Sequence, residues 1–457
     1  MILASFDQTV CQSMEGNIGQ EADPELDAQL ILLAATNHEL ESLRTLLRKG
    51  SANVQDPDTG YTPLHSAIAA CGPSPSPSST AANGASLPTA PKNGHGGDRK
   101  SNGTGFTNHP DEMEAAAKTM RLLLHNGAIW NDLDKNNETP GCMARRLDLT
   151  ELYEIMVDAG VRAEMLLNRL DGYELLGNEE DEEDEEGEED MEDKGRYNTT
   201  SGGGNTQGNS IEAVATAEGT PSENISPPNP SGVNSAEVNS EDFLRSNLTF
   251  SSDRLLDEDK NGVMMAWESG IMQRSADLLV PTDGLRILNI GHGMGIIDGF
   301  FQTKAPSTHH IIEAHPTVLA QMKENGWQEK PNVVIHEGKW QDVVPKLIEE
   351  GTLFDAIYFD TFAEDYKTLR EFFSEYVIGL LDDGGIWGFF HGLGADRQVC
   401  YDVYTNVLGM DLLEAGYDVD WETLTVPDLE KAEEWKGVRR SYFALDKYKL
   451  PVCTFIG

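Results

Sequence analysis

Apolar positions along this chain follow two rhythms, with long stretches between them that have none. Over residues 25–170, Leu30, Leu33, Leu40, Leu43, Leu46 and Leu47 recur at helical spacing. Three helix ends look alike there: Leu46-Leu47 before Gly50, Leu123-Leu124 before Gly127, and Ile155-Met156 before Gly160. From residue 242 onward the rhythm changes. Short apolar runs at 287–290, 310–312, 333–336, 354–359 and 385–390 alternate with helical patterns, notably 316–325 and 366–381. Parallel strands buried on both faces read as such continuous runs, so this part predicts an α/β sheet. Two last runs, 440–446 and 448–455, predict a terminal pair of strands.

The tracts without rhythm set the boundaries. Residues 72–108 are rich in Pro, Ser, Gly and Asn and predict a disordered insertion. Residues 171–241 hold 13 acids in the 15 positions from Glu179 to Asp193, then Gly202-Gly-Gly204 and Ser/Asn/Pro-rich sequence. Such a linker cannot bury enough apolar surface to offset its ordering entropy. Three parts follow: helical repeats over 25–170, a disordered acidic linker over 171–241, and an α/β domain over 242–457. A length of 457 residues also calls for at least two domains.

Charge and cysteines narrow the function classes. With 78 acids against 34 bases the formal charge is −44, which argues against direct nucleic-acid binding through phosphates and permits a basic partner. The five cysteines, Cys11, Cys71, Cys142, Cys400 and Cys453, show no metal-ligand spacing, so no metal is expected. No run approaches the ~20 apolar residues that cross a bilayer. No basic segment leads into an apolar one at the N-terminus. The expectation is a soluble, reduced, intracellular protein without membrane contact.

The helical part carries a specific motif. Asp58-Thr-Gly-Tyr-Thr-Pro-Leu-His-Ser-Ala67 resembles the ankyrin signature: a tight turn, then Thr-Pro opening a helix with proline in its first turn. Asp134-Lys-Asn-Asn-Glu-Thr-Pro-Gly-Cys-Met-Ala144 is a degenerate second copy. His65 is then a structural residue of the repeat. About three units are needed to bury a continuous core, and the three similar helix ends supply that number.

In the α/β part, Arg286-Ile-Leu-Asn-Ile-Gly-His-Gly-Met-Gly295 ends an apolar run in a glycine turn. Ile312-Glu313-Ala314-His315 ends the next run in a carboxylate, 22 residues after Gly291. Open α/β sheets build nucleotide pockets this way: glycines admit the ligand to the backbone, and the acid accepts from ribose hydroxyls. Gly291-x-Gly293-x-Gly295 is tighter than the dinucleotide fingerprint and matches the loop of S-adenosylmethionine-dependent methyltransferases. Asn289 stands where many of those carry an acid. Trp340 and Gln341 follow the third run, where the adenine edge is expected. Asp360 ends the fourth run, outside the carboxyl ends of the strands. Read as one helix, residues 262–272 put Met264, Glu268 and Met272 on one face. A carboxylate within a methionine stripe is costly to bury without a cationic partner.

These residues carry a closer resemblance. Met264, Trp267-Glu268, Met272, Gly291-His-Gly-Met294, Glu313, Gly338, Trp340, Asp342-Val343 and Tyr358-Phe-Asp-Thr361 are similar to guanidinoacetate N-methyltransferase over roughly residues 260–392. Joined to ankyrin-like units, which that enzyme lacks, the chain resembles the fungal type IV protein arginine methyltransferases. His292, Glu313-Ala314-His315, Val438-Arg439-Arg440 and Leu450-Pro-Val-Cys453 support this resemblance. It implies a Rossmann-like class I methyltransferase sheet preceded by a small all-α ankyrin-like domain. It also implies methylation of the internal δ nitrogen of arginine, the nitrogen that corresponds to the methylated one in guanidinoacetate.

By this resemblance Glu268 and Asp360 hold the guanidinium, and Asp360 receives its proton. Phe250, Met264, Met272, His292, Gly293, Met294, Gly295, Ile296, Ile297, Glu313, Ala314, His315, Trp340, Gln341 and Asp360 contact S-adenosylmethionine, with Phe250 as an aromatic lid. The implied partner is a basic protein, such as a large-subunit ribosomal protein. A monomer in cytoplasm and nucleus is expected. The alternatives are a small-molecule guanidino methyltransferase with an added domain, a nicotinamide oxidoreductase, and an ankyrin adaptor with an inactive cofactor domain.

Overall fold

The computed structural model describes residues 24–72, 110–170 and 240–457. Of the expected insertion it describes Gly72, and of the expected linker Ser240 and Glu241; the remainder of both lies outside the described residues.

The first part is helical: α1 (Pro24–Thr36), α2 (Leu40–Leu46), α3 (Pro63–Ala69), α4 (Pro110–His125), α5 (Pro140–Arg146) and α6 (Thr150–Leu170). The two Thr-Pro sequences start α3 and α5. Thr62 accepts from the His65 N–H and Thr139 from that of Cys142, with a proline at the first helical position of each. Each such cap contributes about 1 kcal/mol. Gly60 has φ +74°, and a Cβ there would lie 2.7 Å from the Lys135 nitrogen, so the turn before α3 needs glycine. The His65 ring accepts at Nδ1 from the Thr62 N–H (3.2 Å) and donates from Nε2 to the Glu138 carbonyl (3.0 Å). It ties the two turns together. The leucine stripe of α1 differs from expectation. Leu30 and Leu33 are 40% and 56% exposed, while Ile31, Ala34 and Ala35 are buried. Small residues let α1 pack closely on α2 and α3, so the stripe is displaced toward the alanines.

The second part opens with α7 (Ser240–Arg245) and a small antiparallel sheet of β1 (Thr249–Phe250), β2 (Arg254–Leu256) and β3 (Gly262–Met265). A single 3-10 turn, Ala266–Glu268, leads into α8 (Ser269–Leu279). This corrects the expectation of one helix over 262–272. The stretch 262–265 pairs with β2, and the Glu268 carboxylate then accepts from the Met265 N–H, so strand changes to helix within one turn. Met264, Glu268 and Met272 therefore sit on three different elements.

The main sheet follows: β4 (Arg286–Ile290), α9 (Ile296–Thr303), β5 (Thr308–Glu313), α10 (Pro316–Glu324), β6 (Val333–Glu337), α11 (Trp340–Glu349), β7 (Phe354–Phe359), α12 (Tyr366–Glu371), a π turn and α13 (Val377–Leu380), β8 (Leu381–Phe389), α14 (Gln398–Glu414), β9 (Tyr417–Thr425) and β10 (Lys447–Phe455). Its order is β6-β5-β4-β7-β8-β10-β9, with β10 antiparallel to both neighbours and the other pairings parallel. The terminal pair is thus 417–425 with 447–455, not 440–446 with 448–455. β9 lies at the sheet edge with Asp418 and Asp420 exposed, so it lacks the continuous apolar run of a central strand. Residues 426–446 instead form a long excursion from the sheet.

The described helices up to Asn168 and the sheet domain form one compact unit. Gly141 and Gly160 lie against Val399 and Val403 of α14, where a Cβ would come within 2.6 Å and 2.5 Å of a valine methyl. Tyr153 donates to Asp402 (2.5 Å) and Tyr404 to Glu164 (3.1 Å) across the same contact. Among the described residues no helix is long and apolar enough to cross a membrane.

Candidate active site

The sheet order reverses about β4, whose neighbours β5 and β7 leave it in opposite directions along the chain. A crevice outside the carboxyl ends of the strands opens at such a point. The turn after β4 supplies Gly291, Gly293 and Gly295, all at positive φ (91°, 53° and 72°). A Cβ on Gly291 would lie 1.9 Å from the Asp360 carbonyl oxygen, and one on Gly293 2.9 Å from the Met264 sulfur. The glycines thus let the turn pass between the end of β7 and Met264 of β3. A cavity of about 230 Å³ lies beside it, lined by Phe250, Ser251, His292, Gly293, Met294 and Gln321 among others.

Glu313, at the end of β5, faces this turn. One of its oxygens accepts from the His292 N–H (2.9 Å) and the Gly293 N–H (3.4 Å), the other from the His315 N–H (2.7 Å). Backbone donors thus fix both oxygens, and the one bonded to His315 keeps a lone pair for a ligand hydroxyl. His315 caps α10 through Nδ1, which accepts from the Thr317 N–H, and its Nε2 donates to the Phe243 carbonyl of α7 (3.1 Å). Half-buried Ala314 lies between these two side chains. The Met264 sulfur accepts from the Met294 N–H (3.3 Å), holding β3 against the glycine turn.

Two carboxylates, buried Glu268 and half-buried Asp360, lie near enough for the charge of one to act on the other. Glu268 is 3% exposed, and one oxygen accepts both the Met265 N–H and the Tyr442 hydroxyl. Burial, then the charge of Asp360, pushes Glu268 up to about 8. Asp360 follows β7, with its N–H bonded to the Ile290 carbonyl. One of its side-chain oxygens is buried with no hydrogen-bond partner. Burial, then the charge of Asp298, pushes Asp360 up to about 7. Two neighbouring carboxylates with an enclosed, unfilled acceptor can receive a cation carrying several donors.

Not every expected site residue lines the cavity. Met272 is fully buried and accepts from the Tyr358 hydroxyl (3.4 Å), and Ile297 lies in the core of α9. Half-buried Ile296 opens α9 directly after Gly295. Trp340 packs edge-on against Phe359, Phe372 and Tyr376, and only its N–H reaches outward, to Glu364 (3.1 Å). The Gln341 amide and the Thr361 hydroxyl donate to the same carboxylate at 3.1 Å and 2.5 Å. Glu364 therefore joins the expected adenine edge to the loop carrying Asp360.

The Asn289 departure is also resolved. Its amide donates to both oxygens of Asp298 (2.9 Å each), which also bind His292 Nδ1 (2.6 Å) and His309 Nε2 (2.9 Å). The acid beneath the glycine turn comes from α9 rather than from β4. Sequence reading missed Glu364, Asp298 and Tyr442. The first two look like ordinary loop and helix acids, and Tyr442 lies 174 residues from its partner.

Residues 245–425 match the guanidinoacetate N-methyltransferase family. The chain is 54% identical over 441 residues to protein arginine N-methyltransferase 2 of Emericella nidulans, covering 95% of this chain and 98% of that one. It is 46% identical over 463 residues to the Neurospora crassa protein of the same name, covering 97% and 99%. The chain belongs to the protein arginine N-methyltransferase 2 family. It is an arginine methyltransferase, and its cofactor is S-adenosylmethionine. The residues present fit that group: the glycine turn leaves a cavity, Glu313 is held for hydroxyls, and the Asp360 backbone passes against Gly291 of the turn.

Proposed function

We propose that this protein methylates the δ nitrogen of an arginine in a basic protein, such as a large-subunit ribosomal protein, in the cytoplasm and nucleus. The observation that carries the reading is the pair of buried Glu268 and half-buried Asp360, with one Asp360 oxygen enclosed and unfilled. A guanidinium keeps its charge at any physiological pH and spreads it over three nitrogens. Two carboxylates that grip it by paired hydrogen bonds fix which nitrogen is left facing the cofactor. When bound, S-adenosylmethionine supplies an electrophilic methyl carbon. The chain's part is positioning. Glu268 and Asp360 hold the guanidinium, Glu313 and the turn from His292 to Gly295 hold the cofactor, and Phe250 covers it. Asp360, raised to about 7, receives the proton the nitrogen sheds as its lone pair forms the new bond.

The match to guanidinoacetate N-methyltransferase supports the δ position, because the methylated nitrogen there also bears the carbon substituent. The helical part, with its two Thr-Pro turns, reads as an ankyrin-like stack available to recruit the protein substrate. Incubation of a basic protein extract with labelled cofactor, then fragmentation of the methylated peptides, tests both points. δ-Methylarginine is the expected product. If only ω-methylarginine appears, the assignment of the nitrogen is wrong. The same match favours a second reading, a small-molecule guanidino methyltransferase. Label entering guanidinoacetate and no protein would establish that one instead.

A further inference from the structure

We propose that Tyr442 is the positioning residue of the guanidinium site, turning the Glu268 carboxylate so that its second oxygen faces the arginine. The proposal rests on Glu268 being a guanidinium partner, as argued above. Tyr442 belongs to the excursion 426–446, which leaves the sheet after β9 and returns at β10. Its hydroxyl donates to Oε1 of Glu268, the same oxygen that accepts the Met265 N–H. With two donors on Oε1, the free lone pairs of the carboxylate are concentrated on Oε2. A guanidinium needs such an oriented acceptor, since its donors form a rigid fork.

The tyrosine is held in place by more contacts than its ring alone would need. The Val426 N–H bonds the Asp446 carbonyl and closes the base of the excursion (2.9 Å). Further along, the Arg439 N–H bonds the Lys260 carbonyl (2.8 Å), and Arg254 donates to the Lys436 carbonyl (2.8 Å). The Tyr442 ring meets Trp435 edge-on (centroids 5.0 Å) and lies 6.2 Å from Trp267. Gly262 of β3 lacks a Cβ where one would stand 3.1 Å from the Tyr442 ring. An excursion that served only to fill space would not need to deliver a hydroxyl to a buried acid.

Chemistry agrees with this geometry. Burial, then the charge of Glu268, raises the Tyr442 phenol well above its usual range, so it remains a donor at every working pH. Its hydrogen bond lowers Glu268, against the burial that raises it. The other groups facing Glu268 are Asp360 after β7, Tyr358 within β7 and Tyr448 of β10. The two tyrosines stay neutral and Asp360 repels, so Tyr442 is the side chain described here that steadies the ionised form.

The test is the pH profile of kcat/KM for an arginine peptide at saturating S-adenosylmethionine, in the parent, Tyr442→Phe and Glu268→Gln. Loss of one hydrogen bond to a charged group moves the acid limb of Tyr442→Phe upward by about one pH unit. That is about a tenfold loss on the limb, with recovery above it and cofactor affinity unchanged. A limb that stays in place overturns the proposal, whether activity is lost or kept. Replacing Tyr442 by 3-fluorotyrosine, a stronger donor of the same shape, moves the limb the opposite way and serves if Tyr442→Phe fails to fold. If Glu268→Gln retains full activity, the guanidinium assignment beneath the proposal is what fails.

Discussion

Two buried acid sites lie on either side of one glycine turn, and they behave oppositely. Asp298 is fully buried, and burial alone would push it up. His292, hydrogen-bonded to it, and His309, whose Nε2 lies 2.9 Å away, instead hold it at about 2. Glu268 is buried to a similar degree and Asp360 is half-buried; both have fewer donors and are raised to about 8 and about 7. Burial is common to both, so the supply of partners makes the difference. A carboxylate whose partners are all built in supports the fold, as Asp298 does beneath the turn. A carboxylate short of partners is costly in the free protein and is relieved by a cation from outside. The second arrangement suits a binding site.

The largest expected effect breaks the comparison on the binding side. Asp360→Asn keeps shape and removes the charge, so kcat/KM falls about 10²–10³-fold or more while cofactor affinity holds. Steady-state kinetics beside cofactor titration checks this; equal losses in both would mean that Asp360 serves the cofactor rather than the acceptor. On the structural side, Asp298→Ala leaves His292, His309 and Asn289 without their shared acceptor. It costs about 3–5 kcal/mol of stability, read from urea unfolding. A cost below about 1 kcal/mol would erase the contrast between the two sites.

The smallest effect sharpens it through pH. A carboxyl raised on folding stabilises the protein below its unfolded value and loses that contribution as pH climbs through the folded one. For Glu268 the window runs from 4.5 to about 8, and for Asp360 from 3.8 to about 7. Between pH 5 and 8 the Tm of the ligand-free parent therefore falls relative to that of Glu268→Gln or Asp360→Asn. Parallel curves for parent and variants across that range would show that the two acids are not raised. Asp298, whose value is lowered, produces the reverse trend in its own window, below the ordinary 3.8 toward about 2.

Much of the site was legible because its signals are local. Gly291 to Gly295, Glu313 and Asp360 each end an apolar run, and in a parallel sheet every run ends on the same side. Three turns far apart in sequence therefore converge without any knowledge of packing. The Thr-Pro turns at Thr62 and Thr139 were legible for the same reason, since a helix cap is decided within four residues. The stretch 262–272 was misread because methionines at four-residue spacing fit a helix, whereas pairing with β2 imposes a strand on the first four residues. The edge strand β9 was missed because four of its nine positions are exposed.

The sequence by itself determined the alternation of parallel strands and helices from β4 to β8, the glycine turn and the acids that end the strands, since each depends on near neighbours along the chain. Tertiary structure decided which acids are satisfied. The move of the structural carboxylate from position 289 to Asp298, the gathering of Trp340, Gln341 and Thr361 on Glu364, and the delivery of Tyr442 to Glu268 are contacts between separate elements. Whether a buried charge is held or left waiting depends on donors brought by other parts of the chain, and no local pattern records them.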